Sequence, residues 1–72
     1  MSNPTHLQHI GILIKKMRKF RELTQQDLAD KSGLRVATIS DIESGKANFE
    51  INTLVRISSA LNCFLDVTMT PA

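Results

Sequence analysis

The sequence predicts an all-α fold, in which four short helices are followed by one short β-strand within a single domain, residues 1–72. Apolar residues recur at helical spacing in four segments, and Gly33 and Gly45 end two of them. An alternation with a period of two occurs only after Asn62. Because a domain this short buries only ~60% of its unfolded surface, the sequence also indicates association with a second chain.

The first helix is predicted at about residues 6–21. Pro4 and Thr5 offer a start, with Thr5 as the capping residue. One face of the helix is apolar and is widened on one side by Leu13 and Phe20. The residues that form the stripe itself are Leu7, Ile10, Ile14 and Met17.

The second helix is predicted at about residues 24–32. Thr24 followed by Asp27 resembles a capping box with Asp in place of the usual Glu or Gln. Gly33 is expected to end the helix in a left-handed conformation, which glycine adopts at little cost. Leu28 and Ala29 are expected to face inward.

The third helix is predicted at about residues 36–44 and the fourth at about residues 51–61, with Gly45 and Asn62 ending them. The second and third helices are joined by a tight glycine-containing turn. Two helices set at an angle across such a turn can place one helix in a DNA major groove. No other segment indicates a function as specifically.

The strand is predicted at about residues 64–69, where Leu65, Val67 and Met69 alternate with polar residues. A lone strand leaves its backbone donors and acceptors unpaired. Pairing with a second copy across a two-fold axis would form an antiparallel ribbon, and these three residues would be the dimerisation contacts. The alternative is an extended tail packed as irregular coil on the fourth helix.

Positive charge is concentrated in the first helix. The net charge is only +2, and outside residues 1–21 four basic residues face seven acidic ones. This asymmetry fits a polyanion or an acidic partner near the first helix, and it equally fits a solvated helix face. Residues 1–21 contain no acidic residue, and their basic residues are Lys15, Lys16, Arg18, Lys19 and Arg21.

Several classes of function are disfavoured by the composition. No apolar run approaches the ~18 residues of a membrane span, and no secretion signal is evident, so a cytoplasmic location is expected. Cys63 is expected to be a small buried hydrophobic residue rather than a reactive thiol. His6 and His9 lie one turn apart, but no carboxylate or cysteine accompanies them. We therefore expect no metal site, no cofactor and no enzymatic activity.

The residues around the central turn resemble the Xre or lambda-repressor-like (Cro/cI-type) helix-turn-helix family. The resemblance extends back to Ile14 and Arg18 and forward through the fourth helix. It implies a compact four-helix domain that binds double-stranded operator DNA. The segments that carry it are Leu23-Thr24-Gln25, Leu28-Ala29, Gly33-Leu34, Thr38-Ile39-Ser40, Ile42-Glu43 and Gly45.

The resemblance also implies roles for individual residues. Gln25 would bind a DNA phosphate at the start of the second helix, where free N–H groups favour an anion. Arg18 and Glu43 would form a structural ion pair. Thr38 and Lys46 would lie on the DNA backbone. The implied base-reading residues are Arg35, Val36, Ala37, Ser40 and Asp41.

Two of the base-reading positions have distinct chemistry. Arg35, at the start of the third helix, suits a bidentate contact to guanine. Asp41 could accept a hydrogen bond from cytosine, orient Arg35 or Ser44, or lie at the groove margin and disfavour wrong sequences. These alternatives stay open at the level of sequence.

The short strand resembles the dimerisation strand of HipB-type antitoxins, which implies a HipA-type kinase toxin as a further partner. Two alternatives are a stand-alone regulator, such as a phage-like repressor or a restriction–modification controller, and a protein-interaction module without DNA binding. Phe20 and Phe64 are candidate partner contacts if both are exposed.

Overall fold

The structure, a computed structural model, describes residues 6–72. It contains four helices, and each begins and ends within about one residue of its predicted bounds. The Thr5 cap predicted for the first helix lies outside the described residues. The helices are α1 (His6–Phe20), α2 (Gln25–Ser32), α3 (Val36–Glu43) and α4 (Ile51–Ala60).

A small aliphatic core holds the helices together. α1 and α2 both pack against α3, and α2 also packs against α4. Four side chains, Leu28, Ile39, Ile42 and Ile57, are fully buried and come from α2, α3 and α4. Ile14 of α1 joins this core. The core therefore fixes α3 from one side and leaves its opposite side exposed.

Local capping defines the ends of α2 as the sequence predicts. The Thr24 hydroxyl accepts from the Asp27 N–H at 3.0 Å, and the Asp27 carboxylate accepts from the Thr24 N–H at 2.9 Å. These hydrogen bonds lower the pKa of the Asp27 carboxyl. Gly33 ends the helix with a φ of 73°. The turn that separates α2 from α3 is therefore encoded locally.

Two arginines close the C-terminal ends of helices to which they do not belong. Arg56 of α4 donates from Nε to the Ser32 carbonyl at 3.1 Å and from Nη2 to the Gly33 carbonyl at 3.3 Å. Arg21 donates to the carbonyls of Leu61 and Asn62 at 3.0 and 3.1 Å. Both guanidinium groups satisfy carbonyls left without partners at a helix end, where the helix dipole favours a cation.

The apolar stripe predicted for α1 is narrower than expected. Leu13 and Phe20 are 57% and 69% exposed, so they do not widen the buried face. The buried residues of α1 are Gly11, Ile14 and Arg18. The periodicity alone could not show this, because it does not reveal how wide the neighbouring surface is.

The strand predicted at about residues 64–69 is not present in the single chain, where none of residues 6–72 forms a strand. A strand requires a hydrogen-bonded neighbour, and no described segment pairs with these residues. The segment is instead irregular coil beside an apolar groove between α1 and α4, which Leu65 and Val67 help to line. Pairing with a second copy stays a prediction. Among the described residues, no helix is long and apolar enough to cross a membrane.

Candidate nucleic-acid interface

The outer side of α3 presents small and polar side chains to solvent. Ala37, Ser40 and Asp41 are exposed, and Val36 is 39% exposed, whereas Thr38 is half-buried. Because residues three and four apart share one helical face, Ala37, Ser40 and Asp41 lie together, opposite the buried Ile39 and Ile42 of the core. The side of α3 available to a ligand therefore carries mainly small and polar side chains, with Val36 as its partly exposed apolar member.

Arg35 lies at the N-terminal end of this outer face. It is the N-cap residue of α3 with an extended backbone, and its side chain makes no capping hydrogen bond. Arg35 is exposed, and its guanidinium has no hydrogen-bond or ion-pair partner among residues 6–72. All five of its N–H donors are thus available to an external acceptor.

At the other end of α3, the chain turns back through Gly45, whose φ is 76°. The Asp41 carbonyl accepts from the Ser44 hydroxyl and from the Lys46 N–H, both at 3.0 Å. These bonds fix the backbone of the turn and leave the Asp41 carboxylate and the Lys46 ammonium exposed. A cation and an anion therefore flank the end of the helix.

A buried ion pair connects α1 to α3 behind this surface. Arg18 donates from Nε to Glu43 Oε2 at 2.6 Å and from Nη2 to Oε1 at 3.0 Å. Its Nη1 donates to the Leu23 carbonyl at 2.7 Å. The two side chains are only 9% and 3% exposed. This bidentate pair fixes α1, the turn before α2 and the end of α3 relative to one another.

The electrostatic consequences follow from this geometry. The hydrogen bond to Glu43 raises the pKa of Arg18. Burial opposes ionisation of Glu43, but hydrogen bonds from Arg18 and Gln25 and the nearby charges of Arg18 and Lys15 outweigh it, so the pKa of Glu43 is lowered. Both groups are therefore charged at neutral pH.

Gln25, the predicted phosphate contact, belongs to the same network. Its Nε2 donates to Glu43 Oε1 at 3.1 Å. An amide nitrogen carries two donors, so a second N–H is left for an external acceptor. Gln25 is the first residue of α2, where backbone N–H groups are also unpaired within the helix. The ion pair thus orients a donor cluster at the start of α2.

The structure brings the predicted residues into two groups. Arg35, Val36, Ala37, Ser40 and Asp41 lie along the outer side of α3, and Gln25 lies with Arg18 and Glu43 where α2 begins. Sequence reasoning missed Arg56, which closes α2 at Ser32 and Gly33, directly before the turn that leads to α3. No local signal could reveal it, because the residues it joins are 23 and 24 positions away.

The described part of the chain was also predicted to hold no metal site, and its possible metal ligands are not clustered. No group of three or more His, Cys, Asp or Glu residues within it could hold a metal ion. Cys63 is half-buried, and its thiol lies 3.5 Å from the Leu61 carbonyl.

Comparison with known proteins agrees with this geometry. The helix-turn-helix family HTH_3 matches residues 14–67. An uncharacterised HTH-type transcriptional regulator, y4mF of Sinorhizobium fredii, is 33% identical over 81% of this chain and 76% of its own length. The immunity repressor of Bacillus phage phi105 is 40% identical over 72% of this chain, which spans only 36% of that repressor.

A solved structure shares the architecture. The restriction–modification controller protein C.Esp1396I, as a tetramer with its natural 35 base-pair operator, superposes with a TM-score of 0.78. The identity is 38%, and the match covers 81% of this chain and 76% of the controller. The family match, the identity to a regulator and the four-helix architecture agree, and the chain therefore belongs to the HTH_3 helix-turn-helix family, the Xre and cI-like group of DNA-binding transcription regulators.

Proposed function

We propose that this protein is a sequence-specific repressor that binds operator DNA through the outer side of α3. The observation that carries the proposal is the solvent-facing row of small and polar side chains on α3, which begins with an arginine that has no partner among residues 6–72. A helix with this surface can approach base edges closely, because most of its outward side chains are small.

In this proposal, side chains of α3 recognise the base sequence, and phosphate contacts around them supply affinity for DNA. Arg35 would donate two hydrogen bonds to guanine, while Val36 and Ala37 would pack on thymine methyl groups. Ser40 and Asp41 would contact neighbouring bases. Phosphate contacts hold the protein in register but carry no sequence information, and they are assigned to Gln25, Thr38 and Lys46.

The active form is proposed to be a homodimer on an inverted repeat. Two-fold symmetry would place the two copies of α3 ~34 Å apart and the half-sites one helical turn apart. Leu65, Val67 and Met69 are the proposed dimerisation residues. Val67 and Met69 are 68% and 94% exposed in the single chain, which supports a role for them in contact with another chain.

The similarity to a phage immunity repressor and to a restriction–modification controller favours a stand-alone regulator. The antitoxin role, with a HipA-type kinase toxin as partner, draws no support from these relatives. Examination of the neighbouring genes distinguishes the two settings. A restriction–modification or phage gene cluster would fit the first, and an adjacent kinase-like reading frame would fit the second.

The direct test selects an operator from random duplex DNA and compares wild type with Arg35→Ala. We expect the variant to lose ~1–3 kcal/mol of binding free energy and to relax its choice at one base pair in each half-site. Lys46→Ala is the matched control, because loss of a phosphate contact weakens all sequences similarly. If Arg35→Ala weakens binding to all operators equally, Arg35 contacts DNA phosphates rather than bases. Absence of any selected sequence would favour an interaction module without DNA binding.

A further inference from the structure

The outward side of α1 combines exposed apolar side chains with lysines. Ile12 and Phe20 are 62% and 69% exposed, and Lys16 lies between them, one helical turn from each. Leu13, 57% exposed, and Lys19 flank this row. We call these five residues the outer face of α1. The first acidic residue of the chain, Glu22, lies beyond the end of the helix.

We propose that the outer face of α1 docks an acidic protein segment that also carries apolar side chains. The lysine ammonium groups would pair with carboxylates of the segment, and Ile12, Leu13 and Phe20 would contact its apolar side chains. Lys16 and Lys19 have no hydrogen-bond or ion-pair partner among the described residues, so both charges are available.

Phe20 is held in place although it is exposed. The Arg21 guanidinium lies 5.4 Å from the centre of the Phe20 ring, within the range of a cation–π interaction. That guanidinium is itself fixed by the carbonyls of Leu61 and Asn62. An aromatic side chain ordered before binding loses less entropy when a partner covers it, and aromatic anchors commonly dominate the energetics of protein interfaces.

The apolar residues distinguish this partner from DNA. A phosphate backbone is bound by lysine, arginine and polar groups, and three exposed hydrophobic side chains add nothing to that contact. The position of the face points the same way. Gly11, Ile14 and Arg18 turn the buried side of α1 towards α3 and the core, so the outer face of α1 points away from α3.

Two of the five basic residues in residues 1–21 already have hydrogen-bond acceptors within the protein. Arg18 is buried against Glu43, and Arg21 closes α4. Lys15 lies close enough to Glu43 to act on its charge, which places it on the edge nearer α3. Of the positive charge concentrated in residues 1–21, the outer face of α1 therefore presents two lysines set among hydrophobic residues. A surface of this composition is complementary to an acidic partner that also has an apolar side.

The test uses the full chain and a labelled helical peptide in which glutamates alternate with leucine and phenylalanine at helical spacing. Binding is followed by fluorescence anisotropy, and a peptide with the same glutamates but serine in place of the apolar residues is the control. We expect the first peptide to bind at least about tenfold more tightly than the control, because both charge and apolar contact contribute. Equal binding of the two peptides, or no binding, overturns the proposal.

Variants separate this surface from the DNA-binding one. The double variant Lys16→Glu/Lys19→Glu and the variant Phe20→Ser should each weaken peptide binding about tenfold or more and leave operator binding unchanged. Lys46→Glu should weaken operator binding and leave peptide binding unchanged. If Lys16→Glu/Lys19→Glu impairs operator binding as strongly as Lys46→Glu does, α1 is a DNA contact and the docking proposal is wrong. Thermal unfolding of each variant confirms that the fold is retained.

Discussion

Gly11 of α1 lies directly against the carbonyl oxygen of Ile42 in α3. A β-carbon at position 11 would overlap that oxygen and would approach the Glu43 carbonyl oxygen to 2.9 Å. Both obstacles are backbone atoms, which cannot turn aside. This close approach lets α1 cross the end of α3, and Arg18, two turns further along the same face, can then reach Glu43.

Gly11→Ala should therefore destabilise the protein. Alanine is a better helix former than glycine by about 1 kcal/mol, but the methyl group must displace the backbone of α3, and overpacking of this kind typically costs about 1–3 kcal/mol. Urea unfolding followed by circular dichroism measures the difference. Lys16→Ala, at an exposed position of the same helix, should be close to neutral. A gain in stability for Gly11→Ala would contradict the close approach.

The ion pair between Arg18 and Glu43 should account for a large share of the stability. Arg18→Ala leaves the Glu43 carboxylate buried without its main partner, and loss of one member of a buried pair costs about 3–5 kcal/mol. The double variant Arg18→Ala/Glu43→Ala removes the stranded charge and should cost less than the two single variants added together. Unfolding of all four proteins in urea yields the coupling energy, and additive effects would show that the pair is not coupled.

Acid should destabilise the protein through Glu43. Its pKa is lowered in the folded state from an ordinary value of 4.5, so the folded protein binds fewer protons than the unfolded chain as the pH falls. The stabilisation is complete above about pH 4.5 and is lost as the pH drops through the lower folded pKa. Asp27, whose pKa is also lowered, acts in the same direction.

Glu43→Gln isolates the contribution of Glu43 to this dependence. The slope of unfolding free energy against pH should become shallower below about pH 4.5, while the share due to Asp27 is retained. Asp27→Asn is the matched control and should retain the share due to Glu43. An unchanged slope in Glu43→Gln would assign the acid sensitivity to other carboxyl groups.

Arg56 should matter more than its exposed position indicates. Arg56→Ala removes both donors from the Ser32 and Gly33 carbonyls, and a charge-assisted hydrogen bond is worth about 1.5–3 kcal/mol where it is well shielded. At this partly exposed site we expect a loss of about 1 kcal/mol, measured by thermal unfolding. Arg56→Lys, which keeps the charge but not the planar pair of donors, should recover only part of it. Full recovery would show that charge alone suffices.

The sequence predicts structure that depends on neighbouring residues better than structure that depends on residues far apart in the chain. The bounds of α2 were predictable, because Thr24, Asp27 and Gly33 act on neighbouring residues. The outer side of α3 was also predictable from helical spacing. The sequence identifies Arg21 only as a basic residue, because its acceptors at Leu61 and Asn62 lie 40 and 41 positions away. Gly11 likewise has meaning only once α3 is in place.

The C-terminal segment shows the same limit. Alternation at Leu65, Val67 and Met69 predicts a strand, yet backbone pairing depends on a neighbour that the alternation does not specify. The described single chain contains none, so the segment lies beside the groove between α1 and α4. The single chain leaves Leu65 40% exposed and Val67 and Met69 largely exposed, whereas a two-fold ribbon would bury all three side chains on one face.

Val67→Lys/Met69→Lys distinguishes these arrangements. Both side chains are largely exposed in the single chain, so the substitutions should leave the unfolding free energy of the monomer almost unchanged. In a two-fold ribbon the same side chains lie on the buried face, and four introduced lysines would oppose association. We therefore expect a shift from dimer to monomer in sedimentation equilibrium at micromolar concentration, with weaker operator binding. Thr68→Lys, on the opposite side of the alternation, should remain dimeric. If the double variant stays dimeric, the contact between the two copies lies elsewhere.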